Sequence, residues 1–346
     1  MIDFVIENGI LKRCTVTDES CARVVVPECV SEISSHAFSG SEIASVVIPA
    51  TVKRVCEKAF DGCGALALAD IAAEEVCAVP ALVLILRDGV KRLCASSEKT
   101  RAFSEICGAN GAPVIKGGAR FLPIAAVADS VCEIGENFFC DMASAAASDG
   151  SFAAGYAKEN RLPLVGLNSA LEGQLSDFAR NISAAEKEAA AYRRDLEAAR
   201  TSLEALRTAE ADRLAAVKDE LLSENERLSR ELEEVTAEAE EISREISALR
   251  KELSGTFALA AKKKNELKEQ IAEAEARLDA KRLRINTLPV KIHANEVEIE
   301  NPLENSRIAQ TEKRVEKLLA GMEHNLRMKS LLEQRAAIVQ GQLDAL

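Results

Sequence analysis

The sequence predicts a mixed fold: a degenerate repeat solenoid of short strands and turns over residues 1–166, then an all-α coiled coil over residues 170–346. Three observations predict it. Residues 25–63 repeat themselves in a 22-residue register. Composition changes near residue 168: the stretch before it carries 15 Lys/Arg and 21 Asp/Glu and all ten cysteines, whereas the remainder carries 29 and 35 and no cysteine. In that remainder the apolar residues step by three and four, the period of a helix face.

The repeat comes first in the chain. Val26, Pro27, Val30, Ile33, Ala37, Phe38 and Gly40 recur as Ile48, Pro49, Val52, Val55, Ala59, Phe60 and Gly62. Two further copies are worn. Ile85, Leu86, Val90 and Leu93 fill the same apolar slots with Arg87 in place of proline, and Val127, Val131, Ile134 and Phe139 do so with Ala128 there. About 40 residues separate these two, so segments such as 96–124 interrupt the array. Each unit reads as a short strand that ends at proline, which donates no ladder hydrogen bond. Ala37-Phe38 then plugs the core and Gly40 permits the return turn. One unit cannot bury its apolar face, but stacked units can.

On these residues the array resembles BspA-type leucine-rich repeats: Val47-Ile48-Pro49, Val52, Val55, Ala59-Phe60 and Cys63 match their form. Phe4–Leu11 is similar to the strand pair that opens such arrays, and Ala154–Asn160 to the segment that closes them. The resemblance implies a right-handed solenoid that binds proteins or surfaces, with no catalytic residues to carry over. Many relatives are exported and adhesin-like.

Beyond Leu175 the apolar series runs through Phe178, Ile182, Ala185, Ala189, Leu196 and Leu203, then through Leu228, Val235, Ile242 and Ile246. Such sustained spacing with charged flanks predicts coiled coil. Two breaks are expected. Around 254–260, Ser254-Gly255 interrupts the series before it resumes at Leu267, Ile271, Ala274 and Leu278. Either the helix reverses there into an antiparallel hairpin, or one straight helix runs through 175–287. Around 287–303, Pro289 and Pro302 should end helices at the preceding residues, and VKIHANEVEIE alternates as an extended segment does. A last helix should run from Asn305-Ser306 to Leu346, with Ile308, Val315, Leu319, Met322, Leu326, Leu332, Val339 and Leu343 on one face.

Net charge is −12, with no tryptophan and two tyrosines. That balance disfavours nucleic acid and anionic lipid as partners, and no stretch reaches the ~18 apolar residues of a membrane span. MIDFVIENGILKRC has no leader-like apolar run, so the expected location is cytoplasmic, with reduced thiols. Chemistry finds little support. The cysteines form no C-x-x-C pair, although Cys56 and Cys94 share a repeat slot. His36, His293 and His324 lie in three separate segments. Lys262-Lys263-Lys264 reads as a solvated face, and Gly108–Gly111 and Gly117-Gly118 lack phosphate-loop context. No catalytic, cofactor-binding or metal-ligating residue is expected, and no cofactor. The expected function is a non-enzymatic protein–protein interaction module on a coiled-coil spacer, whose helices suit a homo-oligomer. Its alternatives are a scaffold in which the repeats are a cap, and an adhesin-like protein.

Overall fold

The computed structural model describes residues 2–16, 23–95, 106–108, 112–256, 261–301 and 306–346. It is mixed: parallel sheets come first and long helices follow. The chain divides into two compact units, Met1–Leu196 with Lys317–Leu346, and Glu197–Glu316. That division differs from the one expected at 166/170, because both ends of the helical region belong to the first unit.

The first unit opens on a hairpin. β1 (Ile2–Glu7) and β2 (Ile10–Val16) pair antiparallel across Asn8 and Gly9. Both turn residues have positive φ, 51° and 78°, as the tight hairpin turn that matches strand twist requires. The opening strand pair is where the sequence places it.

Each following repeat then gives one strand to each of two sheets. β4 (Glu32–Ile33), β6 (Arg54–Val55), β8 (Glu75–Val76), β10 (Arg92–Leu93) and β12 (Glu133–Ile134) extend the hairpin into a seven-stranded sheet, ordered β1-β2-β4-β6-β8-β10-β12. β3 (Arg23–Val25), β5 (Ser45–Ile48), β7 (Leu68–Ile71), β9 (Val83–Leu86), β11 (Ile124–Val127) and β13 (Ser144–Ala146) form a six-stranded parallel sheet, ordered β13-β11-β9-β7-β5-β3. Between the sheets lies one apolar core. Val24, Val46, Ala69, Leu84 and Ala125 enter it from one side, and Ile33, Val55, Val76 and Leu93 from the other. Phe38 and Phe60 stack in it, ring centroids 4.6 Å apart and planes 3° apart.

The turn after β3, β5, β9 and β11 is repeated in detail. Val30, Val52, Val90 and Val131 each donate their N–H to the carbonyl three residues back, at Pro27, Pro49, Arg87 and Ala128. Loss of proline in the worn copies is therefore compatible with the turn. It also frees an N–H: Arg87 donates to Ile71 and Ala128 to Leu86. A further repeat, β7 and β8, lies between the copies legible in the sequence. Ala72 holds its proline slot and likewise donates to Ile48. Successive strands from Glu32 to Arg54, Glu75 and Arg92 are 22, 21 and 17 residues apart, and this drift hides the repeat from a fixed-period search. No sheet pairing is missing from β3 through β13 among the described residues.

The six-stranded sheet buries its outer face as well along β7, β9 and β11, whereas Val25 of β3 stays 54% exposed. Leu68, Val83, Ile85 and Ile124 pack there with Leu171, Phe178 and Ala185 of α2 (Leu167–Gly255) and with Met328, Leu332 and Val339 of α4 (Ser306–Asp344). This explains why Val83-Leu84-Ile85-Leu86 is apolar without alternation: a strand covered on both faces has no polar side. α1 (Phe152–Glu159), capped by the Ser151 hydroxyl, lies in the predicted closing segment. Within this unit α2 and α4 approach closely. A Cβ on Gly321 would stand 2.6 Å from the Tyr192 ring, and Lys329 pairs with Glu186 at 2.6 Å.

In the second unit α2 runs beside α3 (Ala261–Glu300). Glu252–Lys263, Glu245–Arg277, Glu238–Lys281 and Glu231–Arg284 form successive ion pairs. One partner's number falls as the other's rises, so the helices are antiparallel. Ala239, Ile246, Ala274 and Leu278 close the seam. The break expected at 254–260 coincides with the end of α2 at Gly255 and the start of α3 at Ala261; residues 257–260 lie outside the described set.

The break expected at 287–303 is corrected at Pro289, through which α3 continues, while α3 ends at Glu300, just before Pro302. Interior proline costs roughly 3 kcal/mol. Buried Leu288 beside it and the Asn295–Asn225 amide bond, 2.8 Å long, lie on one face of a helix and offset that cost. The apparent alternation was also a three-four series: Ile285, Leu288, Ile292, Asn295, Ile299. Residues 302–305 are outside the described set. The last helix buries Leu332 and Val339 of the expected face and half-buries the others except Leu326, and adds polar residues to it. Asn325, Met328, Leu332, Arg335 and Val339 are buried, while Leu326 is exposed. Arg335 Nε donates to the Ala65 carbonyl at 3.2 Å.

Candidate binding face

In contrast to the six-stranded sheet, the seven-stranded sheet keeps solvent on its outer side. Every repeat strand in it has two residues, the second turned inward: Ile33, Val55, Val76, Leu93 and Ile134. The first therefore points out. In-register parallel pairing aligns these as Glu32, Arg54, Glu75, Arg92 and Glu133. The signs alternate along the whole array. Arg92 Nη1 donates to Glu75 at 3.1 Å and Arg92 Nε to Glu133 at 2.7 Å, and Arg54 Nε lies 3.9 Å from Glu75. One position earlier, Lys91 pairs with Glu74 at 2.9 Å. The Lys91 ammonium lowers the pKa of Glu74, and Glu133 raises that of Arg92, each by a direct hydrogen bond. On the other sheet Arg87 meets both oxygens of Asp70, at 2.8 and 3.0 Å.

The sequence carries the signal for this ladder. Each charge immediately precedes the inward apolar residue of its repeat. It is invisible until β8 is recognised as a repeat, since without Glu75 the alternation of sign is lost.

A third row sits two positions after the ladder. Cys56, Cys77 and Cys94 follow β6, β8 and β10, so Cys77 lies between the two cysteines that share a repeat slot in the sequence. Cys56 Sγ donates to Glu32 at 3.4 Å. Burial, and then the neighbouring Cys94, pushes the Cys77 thiol up to about 12; burial, and then Asp3, pushes Cys14 to about 11. Gly135 ends the row. A Cβ there would stand 2.2 Å from the Ala95 nitrogen, so only glycine fits.

These shifts set an alkaline limit. The neutral thiol is favoured by the fold, so its contribution is complete below the unfolded pKa near 9 and is lost as pH rises towards 11–12. Urea midpoints should fall across that window, and less steeply in a Cys14→Ala, Cys77→Ala variant. At pH 8, mass-spectrometric mapping of iodoacetamide adducts should find exposed Cys29, Cys132 and Cys140 labelled while Cys14 and Cys77 remain unlabelled.

The other candidate groups are dispersed. His36 lies on a turn at φ 62°, its Nδ1 3.6 Å from Asp61. His293 pairs with Glu296 within α3 at 3.6 Å, and His324 is exposed on α4. Lys263 of the triple-lysine run pairs with Glu252 at 3.0 Å. Gly118 lies under the Asn181 amide, a packing role, and Gly117 has a φ of 78°; residues 109–111 are outside the described set. Among the described residues no group of three or more His, Cys, Asp or Glu is placed to hold a metal, and no helix is long and apolar enough to cross a membrane. Compared with known proteins, the chain matches no family model and no curated protein.

Proposed function

We propose that the chain is a non-enzymatic protein-interaction module: a leucine-rich-repeat-like solenoid whose charged seven-stranded face receives a protein partner, joined to an antiparallel coiled-coil hairpin that serves as spacer. One observation carries this reading. The chain's own helices cover the outer face of one sheet along β7, β9 and β11, whereas the other sheet presents a regular ladder of alternating charge. Exposed ion pairs contribute only ~0–1 kcal/mol each to stability, so folding alone does not call for such regularity. A fixed, alternating array is suited to reading a complementary charge pattern on a partner.

Charge reversal tests it. Full-length protein and an Arg54→Glu, Arg92→Glu variant would each be cross-linked to interacting proteins and the cross-linked sites mapped. Partners cross-linked to the ladder of the wild type should fall at least tenfold in the variant, with circular dichroism unchanged. Undiminished recovery rules the ladder out as the binding face.

The second reading, a scaffold whose helices do the binding, is favoured by the ion-paired antiparallel helices of the second unit. Partners that cross-link to 197–316 and survive ladder reversal would select it.

A further inference from the structure

The turn that carries the core plug is copied closely from the repeat after Ile33 to the repeat after Ile134. His36 and Asn137 hold the same slot, each at a φ of 62°. Ala37, Ser39 and Ser41 donate their N–H groups to the carbonyls of Ser34, His36 and Phe38; Phe138, Cys140 and Met142 donate to Gly135, Asn137 and Phe139 in the same slots. Two other N–H groups of the turn run along the array instead. His36 donates to Lys58 and Phe38 to Ala59, both at 2.9 Å and both in the following repeat. Cys14 of β2 likewise donates to Ala37 at 2.7 Å.

Asn137 and Phe139 hold those two slots in the last such turn. The turn is the same, so their N–H groups leave it in the same direction, towards the closing end of the array. Among the described residues no acceptor meets either one. Buried backbone donors without an acceptor are rare, and Phe139 is only 7% exposed. Both residues line a cavity of about 420 Å³. Met142 lies on their side of it, and Tyr156, Arg161 and Leu162, from α1 and the residues after it, form the other wall. Arg161 has no ion-pair partner among the described residues. Burial, and then Glu136 and Cys140, raise the pKa of Tyr156, so its phenol keeps its proton at neutral pH.

We propose that this cavity is a binding site for a carboxylate carried on a small apolar group, its oxygens accepting from the N–H groups of Asn137 and Phe139. The two earlier acceptors, Lys58 and Ala59, are successive residues, so each pair of donors serves two neighbouring oxygens. A carboxylate offers two on one carbon, and backbone N–H groups that converge from a turn form an anion-binding concavity. The Arg161 guanidinium balances one negative charge, which suits a carboxylate better than a phosphate dianion. Phe139, Met142 and Leu162 give the apolar group its walls. A free organic acid and the C-terminus of a peptide both carry this chemistry. The site does not depend on the charge ladder being a binding face.

Amide resonances of the full-length chain test it, with isobutyrate as the free acid and N-acetyl-alanyl-alanine as the peptide terminus. The Asn137 and Phe139 amide protons should move downfield, saturably, with one or both; the tighter of the two identifies the source. N-acetyl-alanyl-alanine amide, which lacks the carboxylate, should leave them in place. Arg161→Gln should weaken binding about tenfold, the usual effect of losing a charge-assisted hydrogen bond. Lys158→Gln, one turn away and outside the cavity lining, should bind as wild type does. Arg161 is exposed, so circular dichroism of its variant should be unchanged; the comparison of acid with amide needs no variant at all. Unmoved Asn137 and Phe139 amides with both carboxylates overturn the proposal. So does an equal response to the capped peptide, or equal weakening by Lys158→Gln and Arg161→Gln.

Discussion

Phe60→Ala should destabilise the first unit by about 3–5 kcal/mol, the usual cost of emptying an aromatic site in a core. Phe60 is 1% exposed, and its ring lies flat on that of Phe38. Truncation removes two contributions: the transfer of the ring from water, and the dispersion contact with the ring above. The site has little room to collapse, because the backbone around it is tied to its neighbours. Phe38 N–H donates to Ala59, Cys63 N–H to Phe60, and Cys63 Sγ to the Phe38 carbonyl at 3.1 Å. A cavity therefore persists. Set against a total of roughly 5–15 kcal/mol for a domain, this is a large fraction. Urea denaturation followed by far-ultraviolet dichroism measures it, with Phe139→Ala as the comparison. Phe139 is 7% exposed and meets Phe138 edge-on at 5.1 Å, so its loss should cost less. An equal or smaller cost for Phe60→Ala would sink the idea that the stacked pair anchors the array.

What the sequence made legible was whatever the period protects. The plug residues Phe38 and Phe60, the turn residues at Val30 and Val52, and the opening hairpin sit at slots dictated by backbone geometry. Their side-chain types are correspondingly constrained. The seam positions Ala274, Leu278 and Ile246 were legible for the same reason, as steps of three and four. The repeat at β7–β8 was not, because its identity lies in strand register while a shortened interval shifts it out of period. Nor was the burial of Arg335 and Asn325. Apolarity located Leu326 as a core residue, but the helix turns a polar row inward. Arg335 Nε reaches the Ala65 carbonyl and Asn325 bonds the Gly321 carbonyl at 3.0 Å, so buried donors are matched by acceptors that no periodicity reveals. Pro289 failed as a stop signal because seam contacts on either side hold the helix through it. The charge ladder fell between these cases: its residues are regular, but the rule that aligns them is sheet pairing, which becomes readable only once every strand is known.

The division of the chain yields the second large effect. Leu332→Asp should cost more than about 4 kcal/mol and detach the last helix from the sheet, because it places a charge at a position with no accessible surface. Leu332 packs in the cluster that joins Val83, Ile85 and Ile124 to Leu171 and Phe178. An unpaired carboxylate there is tolerated only if water enters, and water enters only if α4 lifts away. The sheet then exposes an outer face that is apolar along β9 and β11, a surface that favours aggregation. Hydrogen exchange separates this outcome from simple loss of the terminus. Amides of Val83, Ile124 and Ala128, which bond to the carbonyls of Ala67, Leu82 and Leu86, should lose protection together with those of residues 317–344. If α4 were an independent helix, only its own amides would change. Joint loss of protection would mean that a segment some 200 residues downstream is a layer of the repeat domain, and that folding of the first unit waits for the end of the chain.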